Sequence, residues 1–338
     1  MKFMTHNEKV FLIIILALSL ISLTLSIYFG LNQSTKNLNT CVNKNLYVIN
    51  TGKDIKEKFS VNEKSSNIQN FKLGTYNPPM SSNTLNINDW NQLTKDLVSK
   101  YNDYDAFVIL TDHDTLPYTA SALSFTMENL SKPIILTSDD DLEDSLRLAS
   151  QTKIPEVMIA SKDKLLRGCR SISSSDREIS SPNYPVLNEK TQLKMPTEKF
   201  SPKFMDPQNK IVVVKTYPGM DTTDLTPYVH MKDLEGIVLE LYGEGTGPTD
   251  PEFLKLINTL ANKGVVIVGV SQYDDINNLH QADIRLLEAG ILPGYDMTTP
   301  AAYAKLAFLL GNVEDKKLIG QLMDLNFRGE MNIPDINK

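Results

Sequence analysis

The sequence predicts an α/β protein with two parallel-sheet domains, and three observations predict it. Apolar runs of strand length recur along the chain, amphipathic stretches of helical length separate them, and a proline-containing segment without period divides the series in two. Strands buried on both faces read as continuous Val/Ile/Leu runs, and parallel neighbours need helical crossovers between them.

Taken in order, the first element is the uncharged run "VFLIIILALSLISLTLSIYFGL" from Val10 to Leu31. It is long enough to cross a hydrocarbon core as one helix, and it lacks the small-x-small cleavage site of a signal peptide. Residues 1–31 are therefore expected to be an uncleaved N-terminal anchor, with a cleaved signal as the alternative reading. The expected localisation is a single-pass membrane protein, the lumenal or extracellular side being favoured for the globular part. Residues 32–45 are polar, without hydrophobic periodicity, and read as a tether. The runs "LYVIN", "AFVILT", "PIILT" and "EVMIA" then read as strands at 46–50, 106–111, 133–137 and 156–160. Between them, "INDWNQLTKDL" reads as an amphipathic helix with Trp90 as a packing residue, and "DDDLED" as a helix start whose carboxylates complement the dipole. The irregular stretch 191–209 reads as a linker between a first domain at 46–190 and a second at 210–338. The second domain resumes the alternation with "KIVVVKTY", "GIVLELY" and "GVVIVGV", and the helix in "DPEFLKLINTLANKG" has a clear start and a glycine stop.

Composition excludes several classes. A 41% apolar fraction is globular rather than disordered, and a net charge of −7 without a Lys/Arg run argues against a nucleic-acid partner. Two cysteines, Cys41 and Cys169, make neither a disulfide framework nor a zinc spacing. "GEGTGP" lacks the third glycine of a dinucleotide loop, and no cofactor is expected. His230 and His280 stand alone and read as structural or surface residues, so the expected metal assignment is none. The acidic runs "TDHDT" and "SDDDLED" leave a divalent-cation site open as an alternative.

The segments "YTASALSFTMENLSKPIILT", "LLRGCR", "SSPNYP", "GIVLELYGEGTGP", "AGILPGYDMTTPAAYAKLAFLLG" and "LMDLNFRGEM" follow in order along both halves. From about residue 45 to 332 the chain thereby resembles the type I, cytoplasmic-type branch of the L-asparaginase family. The resemblance implies a larger flavodoxin-like N-terminal domain, a smaller C-terminal α/β domain, and homodimers or homotetramers with sites at subunit boundaries. It also implies a small amino-acid ligand of the asparagine or aspartate type. Fold similarity alone does not carry activity.

The family's reactive positions differ here. Its first cluster is a Thr-Gly-Gly-Thr turn whose second threonine attacks the substrate amide; in "NTGKDIKEKF" Thr51 remains and Asp54 stands at the attacking position. A carboxylate attacking an amide would form an anhydride, a poor intermediate beside an ester. The second cluster is a Thr-Asp pair with an activating lysine; "ILTDHDTLPYTAS" puts His113 at the threonine and keeps Asp114, which in the family binds the substrate's amino group. "RGCRSIS" puts Ser173 at the lysine position. Ser81 in "PPMSSN" matches the serine that holds the substrate carboxylate. The expected function is a membrane-tethered scaffold with a disabled amidohydrolase site and a binding or structural role. The alternatives are an active L-asparaginase, which releases L-aspartate and ammonia from L-asparagine, and a reassembled hydrolase using Ser173, His113 and Asp114 or Asp54.

Overall fold

The apolar runs pair as their periodicity predicts in the computed structural model, which describes residues 44–52, 71–138, 142–174, 178–243, 245–273 and 283–332. Strands β1 (Leu46–Asn50), β2 (Phe71–Thr75), β3 (Ala106–Leu110), β4 (Ile134–Thr137) and β5 (Val157–Ser161) form a parallel sheet in the order β2-β1-β3-β4-β5. β6 (Lys164–Arg167) closes one edge as an antiparallel hairpin on β5. β3 is buried along its whole length, which is why its sequence shows no polar alternation.

Period two still sorts its side chains to opposite faces. Phe107 and Ile109 join a core with Trp90, Leu93 and Leu97 of helix α1 (Ile87–Lys100), and with helix α2 (Leu116–Thr126). Ala106, Val108 and Leu110 face the other way, against Leu142, Leu146 and Ala149 of helix α3 (Leu142–Gln151). α1 opens with a capping box in which Asn86 accepts from Asn88 N at 2.9 Å and Asp89 reaches back to Asn86 N at 2.8 Å. Two short strands, β7 (Ile172–Ser173) and β8 (Ile179–Ser180), pair antiparallel beyond the sheet.

A smaller parallel sheet follows, in the order β12-β11-β10-β9, from β9 (Lys210–Lys215), β10 (Leu234–Leu241), β11 (Val266–Ser271) and β12 (Ile291–Pro293). Its helices are α4 (Thr222–His230), α5 (Pro251–Asn262), α6 (Ile284–Glu288), α7 (Thr299–Asn312) and α8 (Lys316–Met323). The two sheets share one core because α2 packs on α7, both helices being buried among its residues. The stretch read as a linker is held down: Asn91 of α1 exchanges two hydrogen bonds with the Met205 backbone, at 2.8 and 3.0 Å.

The expected membrane localisation is corrected. Among the described residues no helix is long and apolar enough to cross a membrane. The longest, α1 and α7, have 14 residues each, about 21 Å of helix against a hydrocarbon core of about 30 Å. The run 10–31 that carried the expectation lies outside the described residues.

Candidate functional site

Strand order 2-1-3 reverses direction between β1 and β3, and in open α/β sheets ligands bind beyond the carboxyl ends of the strands at such a point. The five candidate residues that are described gather around it. Thr51 directly follows β1, Ser81 follows the segment hydrogen-bonded to it, His113 and Asp114 follow β3, and Ser173 is brought against His113. Asp54 lies outside the described residues, as does the acidic run at 139–141.

Thr51 is buried, and its hydroxyl donates to the Leu110 carbonyl at 3.0 Å. Its own carbonyl accepts from Met80 N at 2.8 Å, so the residue ties the segment before Ser81 to the sheet. Ser81 is exposed ahead of a 3-10 turn, and the adjacent Ser82 N points at Asp112 Oδ2 at 3.4 Å. His113–Thr115 form a second 3-10 turn that leads into α2. Asp114 therefore stands at the positive end of a helix, with its side chain 86% exposed.

Among the described residues, the side chains do not assemble a nucleophile and a base. Ser173 Oγ points at the backbone carbonyl of His113, at 3.4 Å. The imidazole Nδ1 lies 3.8 Å from Asp114 Oδ1, too far for a hydrogen bond, and Nε2 is buried without a hydrogen-bond partner. The nearby cation is also engaged: Arg170 donates to Asp296 Oδ2 and to the Gly329 carbonyl, both at 2.7 Å, with its guanidinium over the Tyr184 ring. Among the described residues, no three or more His, Cys, Asp or Glu side chains are grouped to hold a metal ion.

Asp114 and Ser173 open onto a cleft of about 310 Å³ between the two sheets. Tyr118 lines the same cleft, as do Glu240 of β10, Asp296 and, at the start of α7, Thr299. Burial, and then the nearby Glu240 carboxylate, push the Tyr118 phenol above its ordinary range. Glu240 was not among the residues expected at a site. Its signal is visible in "GIVLELY", where one acid interrupts an apolar strand. Thr299 Oγ1 donates to Glu240 Oε1 at 2.7 Å and fixes it there.

Comparison with known proteins gives a consistent result. The family "Asparaginase, N-terminal" matches residues 36–199 and "Glutaminase/Asparaginase C-terminal domain" matches residues 210–323. L-asparaginase 1 of Escherichia coli strain K12 is 32% identical over 292 residues, which cover 78% of this chain and 86% of that protein. The 60 kDa lysophospholipase of Mus musculus is 30% identical over 76% of this chain, which spans only 50% of that longer protein. L-asparaginase I of Vibrio cholerae superposes with a TM-score of 0.78 at 30% identity, covering 86% of this chain and 99% of that one.

Proposed function

The chain belongs to the asparaginase family, and from that premise we propose that it is a binding scaffold whose amidohydrolase site is disabled. Its retained pocket would hold a small amine-bearing ligand through Asp114, with Ser81 as the position matching the family's carboxylate-binding serine, and the family's homodimer or homotetramer is part of the reading. One observation carries the proposal: Ser173, at the position of the activating lysine, turns its hydroxyl to a backbone carbonyl, and no Lys or Arg is among the described residues lining the cleft. A hydroxyl nucleophile without a base or neighbouring cation keeps its proton at neutral pH. The Thr51 hydroxyl, bound to Leu110, supports the same reading.

The test is ammonia release from L-asparagine by the full chain, beside Asp54→Ala and Asp114→Ala. No release from folded protein at high enzyme concentration is expected. Turnover lost in both variants would make Asp54 and Asp114 catalytic and establish the alternative, an active L-asparaginase with an altered nucleophile.

A further inference from the structure

Among the described residues, the charged side chains lining the cleft are Asp114, Glu240 and Asp296, with no lysine or arginine beside them. Asp296 is already neutralised: Arg170 Nη1, Asn332 N and Asn332 Nδ2 each reach it at 2.7 Å. Two carboxylates are left to meet a ligand. Asp114 reaches in from the larger sheet, and Glu240 is presented by β10 with Thr299 fixing its orientation. Among the described residues no cation pairs with Glu240.

The walls have matching chemistry. Tyr118, Tyr273 and Tyr295 line the cleft, and an aromatic face attracts a cation through its quadrupole. Tyr118 is braced edge-on against Tyr303 at a ring separation of 6.0 Å. Tyr295 adopts φ 52°, a conformation uncommon for a bulky side chain that the surrounding structure must hold in place. Among the described lining residues, a carboxylate entering this cleft would meet two carboxylates and no cation. An ammonium group would meet both acids and aromatic rings.

We propose that the cleft selects an organic ammonium ligand that carries no carboxylate, with Glu240 as the residue that determines this preference. The inference rests on the reading of the cleft as a retained binding pocket, and it names the class of ligand. Amines are chosen because Glu240 would repel the acid group of aspartate while Asp114 binds its amine.

The experiment is calorimetric titration of the full chain with 1,4-diaminobutane and, separately, with L-aspartate, in the wild type and in Glu240→Gln. Saturable diamine binding, weakened about tenfold or more in Glu240→Gln, with aspartate binding more weakly than the diamine, is the expected result. Circular dichroism of Glu240→Gln checks its fold, and Thr299→Val, which frees Glu240 without removing it, serves as a second probe and should weaken the diamine less. Diamine binding that is unchanged in Glu240→Gln would be diffuse attraction to a chain of charge −7 and would overturn the inference. Aspartate binding in preference to the diamine would overturn it too, while leaving the pocket reading intact. Binding of neither ligand would overturn both.

Discussion

A side chain's chemistry here is set by what surrounds it more than by what it is. Cys169 shows this most simply. Burial, and then the Glu330 carboxylate, push its thiol up from 9.0 to about 12, and its Sγ points at the Arg328 carbonyl at 3.4 Å. A proton held more tightly in the folded chain than in the unfolded one stabilises the fold fully below about pH 9. That contribution is lost as pH rises through about 12. Urea midpoints measured from pH 9 upward should therefore fall more steeply for the wild type than for Cys169→Ala, and parallel slopes would refute the assignment. The same surroundings make the thiol inert, because the nucleophile is the thiolate. Ser173, Thr51 and His113 follow the same logic. Their residue types were legible as nucleophiles and bases, but the partners that decide reactivity lie 59 or 60 positions away in sequence.

At the scale of elements, most of the fold was legible because apolar periodicity reports directly on which face is buried. β1, β3, β4 and β5 fall where the runs place them, and α1 and α3 where the amphipathic stretches place them. β2 was not read from the sequence. "FKLGT" is an edge strand with a half-exposed pattern, so burial leaves little trace in it. The stretch 191–209 was read as irregular, and no local signal revealed how firmly it is anchored. Asn91 is one anchor, pairing with both backbone groups of Met205 across 114 positions, and Ser201 N and Lys203 N also donate to the Glu128 and Thr126 carbonyls. Asn91→Ala leaves a buried N–H and a buried C=O unpaired, at a cost of about 2–4 kcal/mol. Chemical denaturation should show that loss, and limited proteolysis should show faster cutting within 191–209. A variant as stable and as resistant as the wild type would mean that Met205 is held by other contacts.

Across the whole molecule, buried ion pairs tie distant segments together. Arg167 pairs with Glu156, Arg170 with Asp296 and Lys305 with Glu330, all with side chains at most 3% exposed. Arg170 also grips the Gly329 carbonyl and Lys305 pairs with Glu330, so the last described segment is clamped by the turn after β6 and by α7. Such pairs add little net stability when formed, but breaking one strands a buried charge. Arg170→Met should cost about 3–5 kcal/mol in urea or thermal unfolding, and the double variant Arg170→Met/Asp296→Leu should recover a large part of it. A loss below about 1 kcal/mol for the single variant would mean that Asp296 finds a new partner. Because Asp296 lines the cleft, this network also sets the charge that a ligand meets.

The sequence by itself determined the fold class and the family, because hydrophobic periodicity and ordered motifs are local patterns that survive without coordinates. Only the tertiary structure decided where side chains lie: that Thr51 is tied to the sheet, that Ser173 faces a carbonyl rather than an imidazole, and that Glu240 and Asp114 line one cleft. The physical reason is that hydrogen bonds and charge pairs depend on distance and direction between atoms remote in sequence, whereas burial of a strand or helix face is written in neighbouring residues.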